Sequence, residues 1–512
     1  MKFLPVGIQA YTSLIKHNFV YIDKTEMIYR IANRKACYFL SRPRRFGKSL
    51  TLSTLHAYFD GLKEYFVGTK MEQLEKDWIK YPVFHFDFNG SEYGSVKDFR
   101  DKLSDQLDEI AEEYPIPARR TLSSRFAALL KSAFEVTGRE VVVLVDEYDK
   151  PLLSNIHKPK LQDDIRKSLK SFYTMLKTCD KYIKLAFITG VTKFSKVSLF
   201  SDVNNLDDIS MNIDYATICG ITEKELHAQL DPYIKIMSDA NKMTSDQCYA
   251  ELKRWYEGYH FHPNAEDTYN PFGLMKALND KEFKGYWFES GTPTFLVEII
   301  KKNRMPYISL DSVECTETML SKVDNFDESP VPLLYQSGYL TIKSYNPISK
   351  KYTLTMPNQE VSEAFPTFLL NYGFPKTENS PFDIWSFASD VRDGNCQQFM
   401  KRFSALLADS TYEIVGDAEL YFQNVTYLIF KLLGFYIEAV WRTSDGRIDA
   451  VVKTQDYIFV FEFKLDKPAQ EALEQIDNKE YMLPFSVDGR KLFKIGVSFS
   501  SETRKVAEYV IK

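Results

Sequence analysis

The chain has 512 residues, more than one hydrophobic core normally serves, so we expect about two to four domains. Apolar residues make up 44% of it and aromatic residues 15%, which is enough to pack domains of that size. The 65 Lys and Arg residues stand against 70 Asp and Glu residues, and the net charge is -5. That balance excludes a uniformly cationic nucleic-acid coat, although it leaves room for a local basic groove.

The cysteines and apolar runs indicate the cellular compartment. The six cysteines are scattered and include no CxxC pair, which predicts reduced thiols rather than a disulfide framework or a zinc site. No apolar run approaches the length needed to span a bilayer. The first residues lose their apolar character at Pro5 and Gly7, so we expect no signal peptide. Together these features predict a cytoplasmic protein without a membrane association.

Apolar strand-like runs alternate with amphipathic helical stretches over residues 1–215, our first predicted domain. Strands separated by helices predict an α/β fold, here a parallel sheet with helices on both faces. The predicted strands are 36–40, 83–88, 140–147 and 182–190, and the longer predicted helices are 96–112 and 160–179.

From residue 216 onward, helical segments with aromatic clusters dominate, and we assign 216–400 to a helical second domain. Within it, 333–357 predicts a helix end, a turn at Ser337-Gly338 and a β-hairpin bent at Asn346-Pro347. A helix followed by a hairpin is compatible with a winged-helix module, and a plain lid hairpin is an equally good alternative. The Pro- and Gly-rich stretch 373–383 predicts a linker, and 401–512 predicts a compact third α/β domain.

A phosphate-binding loop follows the first predicted strand. Gly47, Lys48 and Ser49 precede a helix, the arrangement in which backbone N–H groups cradle phosphates, the lysine neutralises them and the serine hydroxyl ligates Mg²⁺. The full pattern has a glycine five positions before the last one, and here Arg42 stands in its place, so the motif is degenerate. The loop also carries basic side chains that either contact phosphate or a partner or are simply solvated: Arg42, Arg44 and Arg45.

The buried strand "VVVLVDEYD" ends in two acids. Asp146 is placed to hold Mg²⁺ and Glu147 to polarise an attacking water, as in a Walker B strand. The alternative is a core strand that happens to end in solvated acids. Both motifs in one α/β domain favour binding of ATP with Mg²⁺, whereas hydrolysis stays open because Arg42 crowds a turn that usually needs glycine.

The next strand, "KLAFITGVTKF", ends in polar residues that could sense the terminal phosphate of a nucleotide. We single out Thr189, with Thr192 and Lys193 after it. An ordinary polar loop start explains these three residues equally well.

The stretch 446–467 reads as a buried hairpin that nevertheless carries Asp449, Glu462 and Lys464. A turn centred on Thr454-Gln455 would place Asp449 opposite Val460, and any turn of even length puts all three charges on one face. Two carboxylates on one face form an oxygen-rich site suited to Mg²⁺ or Mn²⁺, and a neighbouring lysine can stabilise a phosphate. A buried ion triad without a metal is the alternative, but it would leave a net negative charge.

Two helices flank this hairpin, at 417–435 and 468–482. Glu419 on the first could reach the edge of the metal site, and Gln475 on the second lies beside it. Both are also explained as ordinary surface residues.

These motifs together resemble a known family. Asp449…Glu462-x-Lys464, preceded by "RTSDGRID" and followed by Gln475, resembles the PD-(D/E)XK nuclease superfamily. "VYIDKTEMI", "SRPRRFGKS", "LVDEYDKPL", "ITGVTKFSK" and "RWYEGYHF" resemble an AAA-ATPase-like family whose members carry such a C-terminal nuclease domain. The resemblance implies a restriction-endonuclease-like C-terminal fold, with a centre formed by Glu419, Asp449, Glu462 and Lys464 and supported by Gln475. It also implies that Lys48, Ser49, Asp146 and Glu147 serve ATP and Mg²⁺.

The leading functional hypothesis is therefore an ATP-regulated, metal-dependent endonuclease that acts on DNA. A nucleotide-switched signalling protein with an inactive nuclease fold is the second hypothesis. A third treats the C-terminal domain as a DNA-binding module only. The sequence leaves the choice between DNA and RNA open, and also whether a homo-oligomer or a protein partner exists.

Overall fold

The structure is a computed structural model that describes residues 1–194, 206–290, 294–320, 329–373, 383–408, 418–441 and 449–512. The chain divides into two compact units, one of Met1–Thr292 with Val313–Glu360 and one of Pro293–Ser312 with Val361–Lys512. The predicted linker lies almost wholly outside the described residues, as does most of "RTSDGRID". The division into three domains stays a prediction.

A five-stranded parallel sheet forms the base of the first unit, in the spatial order β2-β3-β4-β1-β5. The four predicted strands are confirmed to within two residues. The fifth strand, β5, was not predicted, because it is too short to show a periodicity. The strands are β1 (Ala36–Ser41), β2 (Val83–Asp87), β3 (Val141–Asp146), β4 (Ile183–Gly190) and β5 (Leu206–Asp208).

Helices cover both faces of this sheet, because alternate side chains of each strand enter two different apolar clusters. Val143 packs into one cluster and Leu144 into the other. The α-helices of both units are α1 (Tyr11–Lys16), α2 (Thr25–Ala32), α3 (Lys48–Phe59), α4 (Lys70–Leu74), α5 (Val96–Glu113), α6 (Leu122–Thr137), α7 (Lys150–Leu153), α8 (Pro159–Thr178), α9 (Glu223–Ala240), α10 (Ser245–Tyr256), α11 (Pro271–Asp280), α12 (Tyr286–Glu289), α13 (Thr294–Lys302), α14 (Glu317–Leu320), α15 (Val331–Gln336), α16 (Gln359–Gly373), α17 (Ile384–Arg392), α18 (Cys396–Ala408), α19 (Ala418–Leu433) and α20 (Ala469–Asn478).

The predicted helices 96–112 and 160–179 are confirmed as α5 and α8, each with its apolar stripe against the sheet. The helical character after residue 216 is confirmed too, with α9, α10 and α11 packing around a core of their own. Among the described residues, no helix combines the length and the apolar character needed to cross a membrane.

The predicted hairpin is confirmed and belongs to a small antiparallel sheet in the order β6-β8-β7. Helix α15 leads into it through Gly338, which has a φ of 90°, a value that favours glycine. The additional strand β6 precedes the hairpin by some distance in sequence, so local patterning could not pair it. The strands are β6 (Val313–Thr316), β7 (Thr341–Asn346) and β8 (Lys351–Thr355).

The second unit is built on a mixed sheet in the order β13-β12-β11-β10-β9. Helix α20 crosses from β11 to the parallel strand β12 and packs closely on it, since a Cβ at Gly496 would come within 2.4 Å of the Ala469 carbonyl oxygen. The strands are β9 (Glu438–Trp441), β10 (Ala450–Lys453), β11 (Tyr457–Leu465), β12 (Lys491–Ser500) and β13 (Lys505–Ile511).

The predicted register of the β10–β11 hairpin is wrong by two residues. Val460 pairs with Val451, not with Asp449. Thr454 and Tyr457 close the turn, with the Thr454 N–H donating to the Tyr457 carbonyl over 2.9 Å, so the turn residues lie one position later than expected. Because a shift of two residues preserves the faces of a strand, the predicted convergence of the three charged side chains survives the correction.

Candidate nucleotide and metal sites

The phosphate-loop residues lie at the C-terminal end of β1, where α3 begins at Lys48. Such an edge of a parallel sheet is the usual place for a ligand, and the free N–H groups of the helix start favour an anion. Arg45 and Gly47 adopt left-handed backbone conformations, with φ of 65° and 96°. A cleft of about 520 Å³ opens here, with Lys48, Ser49 and Glu147 in its wall.

Lys48 is folded back onto its own loop. Its Nζ donates to the carbonyl oxygens of Arg42 and Pro43, each over 3.0 Å, and its side chain is buried. These two contacts hold the ammonium at the rim of the loop, where a phosphate would compete for its donors.

Arg42 is not a phosphate ligand or a solvated loop residue, and this part of the prediction is wrong. Its side chain is buried, and its guanidinium donates to the carbonyl oxygens of Ser210, Tyr215 and Ala216 over 2.7 to 3.2 Å. The guanidinium also lies over the Phe261 ring, 4.1 Å from its centroid. Arg42 therefore supports the phosphate loop from its buried side. It does so at the position where the full motif has a glycine.

Aromatic residues of the "RWYEGYHF" stretch support the same loop. Phe46 packs edge-on against Tyr259 and Phe261, with ring centroids 4.7 and 5.5 Å away. From the other side, the Trp287 indole donates to the Arg44 carbonyl oxygen over 2.9 Å. The phosphate loop is thus held by side chains far from it in sequence.

Arg44 and Arg45 both line the cleft, and their contact with a phosphate stays a prediction. Arg44 is half-buried, whereas Arg45 is exposed and lies with its guanidinium 5.1 Å from the centroid of the Phe272 ring. Both remain available to an anion in the cleft.

The two acids at the end of β3 differ in their surroundings. Asp146 is buried, and its Oδ1 accepts hydrogen bonds from the Thr189 hydroxyl over 2.7 Å and from the Glu147 N–H over 3.0 Å. Glu147 faces the cleft with a left-handed φ of 48°, a conformation that often marks a functional position. Burial raises the pKa of its carboxyl, and nearby Lys48 opposes that rise.

Thr189 and Thr192 are fully buried, and a role for either in sensing phosphate stays a prediction. Thr189 contacts Asp146, whereas Thr192 contacts Asp149, a residue to which the sequence analysis gave no role. The Asp149 carboxylate accepts from the Val191 N–H, the Thr192 N–H and the Thr192 hydroxyl over 2.6 to 3.3 Å. Lys193 forms an ion pair with Asp208. Asp149 thereby fixes the loop that follows β4.

In the second unit, the structure brings together the three charges of the hairpin. Asp449 precedes β10, and its Oδ2 accepts from the Phe463 N–H over 3.0 Å. The Nζ of Lys464 lies 3.0 Å from Oε1 of Glu462. The intervening Phe461 and Phe463 stack on the opposite face of β11, which leaves this face to the charged groups.

Glu462 is the most constrained of the three. The residue is only 1% exposed, and among the described residues its Oε2 has no hydrogen-bond partner. Burial raises the pKa of the Glu462 carboxyl to about 7, and the Asp449 carboxylate adds to the rise; burial raises the pKa of Asp449 as well. An unpartnered buried oxygen beside a second carboxylate is the donor set of a hard divalent cation, so these residues fit Mg²⁺ or Mn²⁺.

Gln475 joins the cluster and Glu419 does not. The Gln475 Oε1 accepts from Lys464 over 2.6 Å, because α20 packs directly above β11 and β12. Glu419 is exposed in the first turn of α19, where it accepts from Gln423 over 3.2 Å. Within the part of the chain that the structure describes, no group of three His, Cys, Asp or Glu side chains is placed to hold one metal ion.

Two further residues were missed by sequence reasoning, for different reasons. Asp149 stands in the quoted "LVDEYDKPL", and its fixed distance from Asp146 was a usable signal. Trp287 carried no signal, because only the folded chain brings it to the phosphate loop, 243 residues away in sequence.

Comparison with known proteins shows the family of the chain. Residues 5–200 match a family model described as a predicted AAA-ATPase, and residues 417–509 match a model described as the PD-(D/E)XK nuclease superfamily. An uncharacterized protein encoded in the vnfD 5′ region of Azotobacter chroococcum mcd 1 is 34% identical over 523 residues, covering 100% of this chain and 99% of that protein. The chain belongs to this AAA-ATPase-like family with a PD-(D/E)XK nuclease superfamily domain.

Within the family, the AAA-ATPase-like match covers the phosphate loop and both acids of β3, and the nuclease-superfamily match covers Asp449, Glu462 and Lys464. Two solved structures with 10% sequence identity are also similar. The match to the Aeropyrum pernix ORC1 protein in complex with DNA covers 67% of this chain and 92% of the ORC1 chain, with a TM-score of 0.26. The match to the ORC2 protein of the same organism, in ADPNP-ADP complexes, covers 65% of this chain and 88% of the ORC2 chain, with a TM-score of 0.18.

Proposed function

We propose that this protein binds and hydrolyses ATP in its first unit and cleaves DNA phosphodiesters with a divalent cation in its second unit. The observation that carries the proposal is the cluster of Asp449, Glu462 and Lys464 on one face of β11, with a buried Glu462 oxygen that lacks a partner among the described residues. A buried negative charge of this kind is costly unless a cation relieves it.

In the first unit, the start of α3 and Lys48 would bind the phosphates of ATP, and Ser49 and Asp146 would hold its Mg²⁺. Asp146 is oriented by Thr189, which donates to it over 2.7 Å. Glu147 faces the same cleft and would orient and deprotonate the attacking water. Arg44 and Arg45 add positive charge where the terminal phosphate would lie.

In the second unit, Asp449 and Glu462 would hold Mg²⁺ or Mn²⁺. A cation bound there supplies Lewis acidity and makes water a better nucleophile near neutral pH. Lys464 would stabilise the negative charge that grows on the phosphate during attack, and Gln475 fixes the ammonium for that task. Glu419 accepts from Gln423 on α19, and its place in this centre stays a prediction.

The nuclease activity is tested with supercoiled plasmid, Mg²⁺ or Mn²⁺, and ATP. We expect the wild type to nick the plasmid, and Asp449→Asn to reduce the rate by about 10²- to 10⁴-fold. Asp456→Asn is the matched control, because Asp456 is an exposed carboxylate in the turn of the same hairpin. Nicking that is equally fast in Asp449→Asn and Asp456→Asn would contradict the proposal.

The nucleotide site is tested separately by ATP binding and by phosphate release. Lys48→Ala should lose both, while Lys63→Ala, which removes an exposed lysine beyond the end of α3, should keep both. Tight ATP binding without turnover would show that the first unit is a nucleotide switch and not an ATPase.

A nucleotide-switched signalling or DNA-binding protein with an inactive nuclease fold is the second candidate. One observation favours it: the Lys464 ammonium is paired with Glu462 and also donates to Gln475. It predicts that Mn²⁺ does not bind the second unit and that no metal supports nicking.

DNA as the nucleic acid and the cytoplasm as the compartment also remain proposals. DNA is favoured because a nuclease-superfamily fold and an AAA-ATPase-like fold occur in one chain. Nicking of single-stranded RNA in preference to plasmid DNA would overturn the choice of substrate.

A further inference from the structure

One part of the nucleotide cleft lies away from the residues that would bind phosphate, and we call this part the arm. Thr51 and Thr54 of α3 line it, so it runs away from Lys48 for about 9 Å along the helix. That is roughly the length from the phosphates of a nucleotide to its base. The arm is walled by apolar side chains that suit a flat ring and not a phosphate: Val20, Ile22, Ile28, Ile218, Ile221 and Met275.

A buried lysine lies among these apolar walls. Lys24 lines the cleft, is only 7% exposed and stands at the start of α2. Its Nζ lies 2.7 Å from each carboxylate oxygen of Glu225. These two contacts use two of the three N–H donors of an ammonium group, so one donor is left for a ligand.

Glu225 is itself held in place. Its Oε2 accepts from the Thr222 N–H over 2.9 Å, and its own N–H donates to the Thr222 hydroxyl over 3.3 Å, which together form the capping box of α9. The ammonium of Lys24 is therefore positioned by a carboxylate that cannot easily move. An ion pair that only joined α2 to α9 would gain little from facing the cleft, since apolar residues of similar volume stabilise such a contact equally well.

We propose that Lys24 is the residue that recognises the nucleobase, by donating a hydrogen bond to N1 of adenine in the apolar arm while Glu225 holds its ammonium. This inference rests on the proposed nucleotide binding and adds the base specificity to it. Adenine presents an acceptor at N1, whereas guanine presents an N–H donor there, which would face the ammonium unfavourably. Lys24 is thus a specificity-determining residue and takes no part in hydrolysis.

The test compares ligands that share phosphates and differ in the base. Affinities of ATP, GTP and inorganic tripolyphosphate are measured by calorimetry on the full chain. We expect the wild type to bind ATP more tightly than GTP and tripolyphosphate. Lys24→Met should lower the ATP affinity by about tenfold or more and leave the tripolyphosphate affinity unchanged. Lys224→Met is the matched control, because it removes an exposed lysine next to Glu225.

Lys24→Met leaves the Glu225 carboxylate without its partner, which destabilises the folded chain. A second variant is therefore used as a control for this loss of stability. Lys24→Met with Glu225→Gln removes both charges and keeps a side chain that can cap α9. The inference is supported if this double variant also binds ATP more weakly than the wild type while its affinity for tripolyphosphate is unchanged. An unchanged ratio of the two affinities in a folded variant overturns it.

The wild type alone separates the two levels of the proposal. If it binds tripolyphosphate as tightly as ATP, the base contributes nothing and the role of Lys24 is overturned, while the phosphate site stands. If it binds neither, the proposed nucleotide binding itself is overturned.

Discussion

The buried carboxyl group of Glu360 accepts a hydrogen bond from the Trp287 backbone N–H over 2.6 Å, and the Trp287 indole donates to the Arg44 carbonyl oxygen over 2.9 Å. One tryptophan therefore joins a buried acid to the phosphate loop. The indole also packs against Tyr339, with ring centroids 5.4 Å apart. Because Arg44 lies in the wall of the cleft, the position of Trp287 affects the shape that the loop presents to a nucleotide.

Trp287→Phe should weaken this link without opening a large cavity. We expect a loss of about 0.5–1.5 kcal/mol in the free energy of unfolding, because the Arg44 carbonyl loses a buried donor. ATP affinity should fall as well, since the loop is less constrained. Urea denaturation and calorimetry measure the two effects. Trp255→Phe is the control, because Trp255 is half-buried and its indole has no hydrogen-bond partner among the described residues. Equal effects of both substitutions would contradict the role of the indole N–H.

Glu360 should make the stability of the first unit depend on pH. Burial raises the pKa of its carboxyl to about 8 from an ordinary value of 4.5, and in the described part of the chain its Oε2 has no partner. The folded state thus holds this proton between pH 4.5 and about 8, where the unfolded chain has released it. Stability from this group is therefore fully present below 4.5 and falls as pH rises towards 8, by a few kcal/mol.

Glu360→Gln keeps the oxygen that accepts from Trp287 and removes the titration. We expect this variant to unfold at a higher urea concentration than the wild type at pH 8.5 and to show a flatter profile between pH 5 and 8.5. Glu314→Gln is the control, because its carboxylate is exposed on β6. A wild-type profile that rises with pH over this range would contradict the raised pKa.

Arg42→Ala should be among the most damaging substitutions in the first unit. It leaves the carbonyl oxygens of Ser210, Tyr215 and Ala216 buried without their donor. We expect a loss of at least about 3 kcal/mol in the free energy of unfolding. Arg45→Ala should change stability by less than about 0.5 kcal/mol, since Arg45 is exposed, and should weaken ATP binding instead. The opposite ranking in urea denaturation would show that Arg42 does not brace the loop.

Glu462→Gln should separate metal binding from folding in the second unit. The Oε2 of Glu462 has no hydrogen-bond partner among the described residues and is costly to bury without a metal, so the glutamine variant should melt at a higher temperature at pH 8 without metal. Added Mn²⁺ should raise the melting temperature of the wild type and leave that of the variant unchanged. Differential scanning calorimetry with and without Mn²⁺ measures both. Stabilisation of Glu462→Gln by Mn²⁺ equal to that of the wild type would place the cation elsewhere.

The Lys464–Gln475 contact makes a graded prediction for nuclease activity. Lys464→Met should lower the nicking rate by about 10²-fold or more, because it removes the charge that would face the phosphate in the proposed reaction. Gln475→Leu should lower it by about tenfold, because Lys464 keeps its charge and loses only an acceptor 2.6 Å away. Lys467→Met, at an exposed lysine just beyond β11, should retain the wild-type rate. A Gln475→Leu variant as slow as Lys464→Met would mean that Gln475 touches the substrate itself.

The sequence by itself determined the elements and the local chemistry. A short, valine-rich apolar run such as β3 favours a buried strand. The period of two in β11 put Glu462 and Lys464 on one face, and any turn of even length adds Asp449 to that face. The phosphate loop was predictable for the same reason, since Lys48 and Ser49 lie within one turn of one helix.

Only the tertiary structure decided which distant groups meet. The burial of Arg42, the reach of Trp287 to the phosphate loop and the pairing of Lys24 with Glu225 each join residues more than 160 positions apart. No local period records such contacts, because chain folding and not spacing along the chain brings the partners together. The register of the β10–β11 hairpin was predictable only in part. The alternation of side chains predicted which face the charged residues share, whereas hydrogen bonds between Thr454 and Tyr457 set the position of the turn.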